Sequence, residues 1–436
     1  MGHTMASKIL ARAAGVISAS AGDILLPKVS LFTSLDGTTF IDRFNNDRLR
    51  VWDPAKVIFC FDHNFQPDWM PVAALTEHPK IRAFARDQGI PTENVYDIGR
   101  NGLSHHIPVE DGWALPGTVV IGADTQSATM GAANCFAMPC LYGADPILLT
   151  GDVWMQVPES IRVNLTGALP HGLTGKDVAY RLLQDLSGTA NGRVIEFAGP
   201  GVATLGIDVR MAIANGAVQV GALTMIFPAD DVLLDFLDGR ARDTFEPANA
   251  EEDAEYAATI DYDLSTFENL VAGPHEIELI RPLHEVEGLE VTAANIGSCA
   301  SGRLSDLALA AEVLRGRHVH PGVRLIVTPI SAQVARDAAA TGVLQILLDA
   351  GACVTQPGCG GCYSANLSPL KLGDGERCIS TSVETLRGRM GSQDAEIFLA
   401  SAGVTAASAI EGHIADPAPY LLGSGQDHRG EEGAVA

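Results

Sequence analysis

Short runs of apolar, often β-branched residues alternate along the chain with longer alanine-rich stretches of helical periodicity, a pattern that predicts an α/β protein built in layers. Lys56 to Phe61 (KVIFCF) reads as a buried strand running out into Asp62-His63-Asn64. Gly117 to Gly122 (GTVVIG) reads as another, followed by Ala123-Asp124-Thr125-Gln126. Polar groups just past the carboxyl ends of strands stand where α/β sheets build their sites.

The apolar run Ile161 to Leu169, followed by Gly172 and Gly175, predicts a boundary. The first unit is therefore 1–170. A second unit, 171–284, holds the strand Val194 to Phe197 and a helical stretch from Met211 to Gly221. It ends in an acidic segment, 241–284 with Glu251-Glu252-Asp253, that reads as a linker. The third unit, 285–422, has its first apolar run near Ile280. It contains the strand–turn Ile296-Gly297-Ser298-Cys299, the strand Val323 to Thr328, a helix from Ala332 to Ala350 and the loop Pro357 to Cys362. The tail, 423–436, is rich in glycine and charge and is expected to be disordered. No internal repeat is visible.

Composition narrows the function classes. A chain of 436 residues, 47% hydrophobic and 19% charged, can bury a large core. A formal net charge of -24 argues against nucleic acid or an anionic membrane as the main partner, although local donors or a metal can still hold an anionic substrate. The first eight residues lack the apolar core of a signal peptide, and no stretch reaches membrane-spanning length. Eight cysteines are too few for a disulfide scaffold, so a reducing, cytoplasmic setting is expected, in which clustered cysteines are metal-binding or catalytic.

Three of those cysteines carry the most information. Cys359 and Cys362 form a C-x-x-C in a glycine-rich loop, and Cys299 lies in a Gly-Ser-Cys turn sixty residues earlier. Three thiolates are one short of a closed four-ligand site. An iron–sulfur cluster held by three cysteines keeps one iron open, as Lewis-acid chemistry requires. A structural zinc site or buried free thiols would read the same way. Cys60, Cys135, Cys140, Cys353 and Cys378 lie in apolar or strand-like contexts and are expected to be buried small hydrophobes.

Several of these motifs, with others, resemble the aconitase superfamily, in the branch of the 3-isopropylmalate dehydratase and homoaconitase large subunits, over nearly the whole chain. Ser7 to Arg12, the triplet Asp62-His63-Asn64, Gly151 to Trp154 with Val157 to Ser160, Gly375 to Cys378, Gly388 to Gly391 and the three cysteines fall in family order. The resemblance implies three α/β/α domains around a four-iron–four-sulfur (4Fe–4S) cluster with one iron free of protein ligands. Cys299, Cys359 and Cys362 would hold that cluster. It implies a hydro-lyase or isomerase that dehydrates and rehydrates a small hydroxy-acid. It also implies a separate small subunit carrying the swivel domain, which this chain is expected to lack, and the serine base.

By the same resemblance His63, paired with Asp62, would protonate the departing hydroxyl, and His105 would pair with Asp124. Arg389 would hold a substrate carboxylate, Asp36 would lie on the substrate-side loop Leu35 to Thr39, and His106 would be an outer or surface residue. His63 and Arg389 could also be an ordinary strand-end histidine and a structural arginine.

The departures from the family pattern fall where substrate should bind. Asp124-Thr125-Gln126-Ser127 stands in place of Asp-Ser-His-Thr, and Gln219, in Asn215 to Gln219, stands in place of the glutamate that pairs with that histidine. Two amides can hydrogen-bond each other but cannot carry a proton. Val383-Glu384-Thr385 stands in place of Asn-Arg-Asn, so a carboxylate-binding arginine has become Glu384. These changes imply a substrate that lacks one carboxylate or carries an altered group there. Two other readings stay open: a cluster-bearing sensor or binding protein without turnover, and dehydration without rehydration.

Overall fold

Every neighbour is parallel in the first sheet, in which β1 (Leu31–Ser34), β2 (Val57–Cys60), β3 (Val95–Tyr96), β4 (Val119–Gly122) and β5 (Phe136–Pro139) lie in the order β3-β2-β1-β4-β5. The computed structural model describes residues 2–36, 40–63, 72–141, 143–362 and 370–421. A parallel sheet is covered on both faces, so its strands are apolar throughout rather than alternating. All four residues of β2 are buried. Phe59 on that strand packs with Phe32, Phe40, Phe44 and Phe84 in a cluster whose neighbouring ring centroids lie 5.7–6.3 Å apart. Each such ring contributes about 1.5–3 kcal/mol by leaving water, and the cluster anchors the strand that delivers Asp62 and His63.

The second sheet is also fully parallel: β6 (Ser160–Thr166), β7 (Val194–Ala198), β8 (Thr224–Ile226) and β9 (Ala258–Asp263) in the order β8-β7-β6-β9. The third has seven strands, β10 (Leu270–Ala272), β11 (Ile280–Pro282), β12 (Ala293–Gly297), β13 (Arg324–Thr328), β14 (Cys353–Val354), β15 (Arg377–Ser380) and β16 (Glu396–Leu399). Their order is β11-β10-β16-β15-β12-β13-β14, parallel except that β10 opposes both its neighbours. In the first sheet the chain turns from one side to the other between β1 and β4, and in the third between β12 and β15. Loops at such switch points splay apart and leave a crevice.

The first helix, α1 (Met5–Ala13), is fastened to the second sheet. Glu196 of β7 is fully buried, and its carboxylate accepts the N–H groups of Met5 and Ala6, each at 2.8 Å, and the Ser160 hydroxyl at 3.0 Å. A carboxylate placed there satisfies unpaired helix N–H groups and the positive end of the helix dipole. Among the described residues no helix is long and apolar enough to cross a membrane.

Several local expectations are corrected. The segment 241–284 supplies β9, β10 and β11 and is not merely a linker; β9 is an edge strand whose exposed alternate residues give it a polar look. The run beginning at Ile161 is β6, a strand of the second sheet rather than a boundary. The helix expected from Ala332 to Ala350 breaks at Gly342, in left-handed conformation, into Ala332–Ala340 and Val343–Asp349. The helix expected from Met211 runs over Ile207–Asn215, with a separate turn at Ala217–Val220. Cys353 is exposed and Cys140 half-buried, whereas Cys60, Cys135 and Cys378 are buried as expected. Gly37, Thr38, Thr39, Asn64 and the tail 423–436 lie outside the described residues.

Candidate active site

Asp62 follows β2 and is 2% exposed. One carboxylate oxygen meets His63 Nδ1 at 2.7 Å, and the other accepts the backbone N–H of Ser104 at 2.9 Å. Holding Nδ1 in this way leaves Nε2 as the working nitrogen, and Nε2 lies 3.8 Å from Asp124 Oδ2. Burial disfavours the imidazolium, but the charge and hydrogen bond of Asp62, with Asp124 and Asp36 behind it, outweigh that penalty and lift His63 to about 10. His63 is therefore charged at neutral pH. Burial in turn raises Asp62, to about 6, against the opposing pull of His63.

His105 behaves in the opposite way. It is 1% exposed with its Nε2 3.9 Å from Asp124 Oδ1, too far for a hydrogen bond, and burial lowers it to about 4. Two histidines thus flank one carboxylate, one protonated and one neutral.

Asp36 follows β1, and its carboxylate accepts the His63 backbone N–H at 3.2 Å and faces His78 Nε2 at 3.2 Å. Its oxygens brace the His63 loop, where a substrate-facing position was expected. His106, expected at the periphery, is 3% exposed and paired with Glu110 at 3.0 Å.

The cysteines come from the carboxyl side of the third sheet. Cys299 follows β12 through Ser298, whose φ of 69° is left-handed, a conformation costing a non-glycine residue about 1–3 kcal/mol. All three sulfurs are buried. A side chain at Gly360 would put Cβ 2.6 Å from Thr328 Oγ1, and at Gly361 2.5 Å from Asn295 Oδ1, so this loop must be glycine. Cys359 hydrogen-bonds Cys362, and that bond with the Arg389 guanidinium holds the Cys362 thiol well below its usual range, while Cys359 is raised. Arg389 donates from Nε to the Cys362 carbonyl at 2.6 Å, with Nη2 3.7 Å from its sulfur.

Two further cations, missed in the sequence, serve the same loops. Lys176 lies at the start of a helix, Gly175–Leu186; it is 3% exposed and donates from Nζ to the carbonyls of Thr381 at 3.1 Å and Ser382 at 2.6 Å. Burial lowers it to about 8 despite the attraction of Cys299 and Cys362. Arg303 is fully buried and donates to the carbonyls of Cys299 at 3.0 Å and Ala300 at 3.1 Å. A cation in the first turn opposes the helix dipole, and that misplacement was the available signal for Lys176.

The aconitase-type cluster can be tested against these donors. Ligands of one tetrahedral zinc would lie about 4 Å apart, from bonds of about 2.3 Å. Among the described residues only Asp36, Asp62 and His63 offer three ligand atoms all within 4.8 Å of one another. The three sulfurs do not form such a set, although Cys359 and Cys362 lie within hydrogen-bond reach of each other. They are soft donors, buried beside two cations, and of the kind that holds an iron–sulfur core.

The remaining candidates divide. Asn215 is buried and donates to Thr129 Oγ1 at 3.0 Å, and Thr125 is exposed. Gln126 Oε1 is buried without a hydrogen-bond partner and the Gln219 amide lies against the Glu384 carboxyl, so the two amides do not pair with each other. Glu384 is half-buried; burial and the Cys362 sulfur raise it, while Arg389 and the nearby Gln219 amide act against them.

The Aconitase family (aconitate hydratase) matches residues 26–288 and 278–412. The 3-isopropylmalate dehydratase large subunit 1 of Methanopyrus kandleri is 40% identical over 427 residues, 97% of this chain and 100% of the relative. That of Mycolicibacterium smegmatis is 40% identical over 95% of this chain and 97% of its own. The 2,3-dimethylmalate dehydratase large subunit of Eubacterium barkeri is 37% identical over 96% and 99%. With the family match spanning all three sheets and these relatives aligned from end to end, the chain belongs to the aconitase family, in the branch of its dehydratase large subunits.

Proposed function

We propose that this chain is the large subunit of a 4Fe–4S-dependent hydro-lyase or isomerase that dehydrates and rehydrates a small hydroxy-acid, a modified relative of isopropylmalate or aconitate. The observation that carries this reading is the pairing of a buried, protonated His63–Asp62 dyad with three buried cysteine sulfurs. The named relatives act on isopropylmalate and dimethylmalate, which supports a substituted malate skeleton.

Cys299, Cys359 and Cys362 would hold the cluster, which when bound supplies a Lewis-acid iron able to polarise a hydroxyl and a carboxylate. His63 gives its Nε2 proton to the leaving hydroxyl, and Asp62 and Asp124 stabilise the imidazolium before the transfer. His105, neutral, does not compete for that proton. Arg389, anchored on Cys362, meets a substrate carboxylate from a fixed position. The base that takes the carbon-bound proton comes from the small-subunit partner.

Anaerobic reconstitution with iron and sulfide, followed by EPR after mild oxidation, tests this. A three-iron signal that disappears when ferrous iron and reductant return is the expected result. Cysteines that bind only zinc, or give no stoichiometric cluster, would leave a binding protein and not a hydro-lyase.

A further inference from the structure

Among the described residues four that are not glycine hold a left-handed backbone: Arg48, Asn134, His275 and Ser298. Arg48 is exposed and His275 half-buried, and Asn134, of a residue type that visits this conformation, turns its amide onto the Phe227 carbonyl at 2.9 Å. Ser298 stands apart. It is fully buried, in a turn that glycine would adopt without strain. Backbone strain of this kind persists where the surrounding structure over-determines the residue, and it gathers at functional sites.

What serine adds to glycine is one hydroxyl, and that hydroxyl faces a sulfur: Ser298 Oγ lies 3.7 Å from Cys299 Sγ and donates to it. The turn around it is pinned on both flanks. Thr381 Oγ1 accepts the Gly297 N–H at 2.9 Å and donates to the Gly297 carbonyl at 2.8 Å, while Arg303 holds the carbonyls of Cys299 and Ala300. Burial keeps water from competing for the hydroxyl. The Cys362 sulfur has the Arg389 guanidinium as its side-chain donor, with Nη2 at 3.7 Å; Ser298 gives Cys299 a neutral one.

Hydrogen bonds to the sulfurs are one of the levers that set the potential of an iron–sulfur cluster. A donor favours the state with more negative charge on sulfur, which is the reduced one, and low local dielectric strengthens the effect. It makes an electron easier to add and harder to remove. Removal is the damaging direction for a cluster with one open iron. Dioxygen takes one electron from a 4Fe–4S core of charge 2+ and becomes superoxide; the 3+ core then releases a ferrous ion and leaves a three-iron core of charge 1+.

We infer that Ser298 acts through Cys299 to set the potential of the bound cluster, its hydroxyl, fixed on the sulfur by a strained turn, raising that potential and slowing loss of the open iron to dioxygen. The inference rests on the cluster reading above and adds to it a residue that binds neither iron nor substrate.

The test is an EPR-monitored redox titration of the anaerobically reconstituted chain and of two variants, with absorbance recording cluster lifetime in air. Ser298→Ala deletes the hydroxyl and keeps the strained turn; Ser298→Gly deletes the hydroxyl and relieves the strain. Both are expected to lower the equilibrium constant for one-electron reduction alike, by about threefold or more, and to shorten the lifetime by a similar factor. Wild-type potentials in both variants overturn the assignment. A shift confined to one of them assigns the effect to the backbone and overturns it too. If the alanine variant fails to fold or to load, the glycine variant decides by its potential alone. A wild-type chain that takes up a cluster when neither variant does makes the serine a requirement of assembly and overturns the tuning role. Absence of a cluster in the wild-type chain under every condition overturns the cluster reading itself.

Discussion

The backbone N–H of Cys359 donates to the carbonyl oxygen of Asp62 at 3.0 Å. This one bond joins the cysteine loop of the third sheet to the acid loop of the first. Gly358 makes the approach possible: its φ is +152°, and a Cβ there would lie 2.7 Å from the same oxygen. Gly358→Ala is therefore expected to cost about 1–3 kcal/mol and to lower iron content and activity together. Iron analysis and thermal melting of the reconstituted protein would check this; normal iron with normal turnover would show that the seam does not couple the two loops.

His63→Asn removes the proposed acid and leaves the cysteines intact. Turnover should fall by about 10²–10⁴-fold, with cluster content and substrate affinity nearly unchanged. A loss smaller than about tenfold would assign the proton to another group.

The His63–Asp62 pair also sets a pH signature. The folded pKa of His63, about 10, lies above the ordinary histidine value of 6.5. Its stabilisation is thus fully present below that ordinary value and is lost as pH rises through the folded one. His105 has the opposite sign: its folded pKa, about 4, lies below 6.5, so its neutral burial costs stability as pH falls from the ordinary value towards the folded one. Urea unfolding from pH 4 to 10 should show His63→Asn removing the alkaline loss alone. An unchanged alkaline limb in that variant would sink the assignment.

Lys176→Met keeps most of the length of the side chain and deletes its charge. The carbonyls of Thr381 and Ser382 would lose their donor, and destabilisation of about 1.5–3 kcal/mol is expected. Cluster retention under air, followed by absorbance, should shorten as well, because a cation beside Cys299 and Cys362 has gone. A variant with wild-type stability and cluster lifetime would contradict the contact geometry.

Cysteine substitutions should separate sharply. Cys353→Ser, at an exposed edge position, should leave iron content unchanged, whereas serine at Cys299, Cys359 or Cys362 should abolish a stoichiometric cluster. Iron and sulfide analysis decides each case.

The strands that deliver the site were legible because parallel strands are apolar on both faces, so KVIFCF and GTVVIG stood out, and their polar run-outs marked Asp62, His63 and Asp124. The polar edge strand Ala258–Asp263 was not, since its alternate exposed residues mimic a linker. Cys353 looked buried because its neighbours are apolar, but its two-residue strand closes the edge of the third sheet. Lys176 and Arg303 escaped notice because burial of a cation is decided by carbonyls far away in sequence, which no local pattern records. Whether the amides of Gln126 and Gln219 meet was a matter of geometry that composition could not supply.

Glu196 caps a helix that begins at Met5, so that helix is completed by a residue synthesised nearly two hundred positions later. Until then its leading N–H groups have no carboxylate to meet. Chain growth and structural closure thus run in different orders: the helix Met5–Ala13 emerges before the second sheet and is secured only after that sheet exists. A nascent chain stalled before Glu196 should present that helix to chaperones and proteases, and one stalled beyond the second sheet should not.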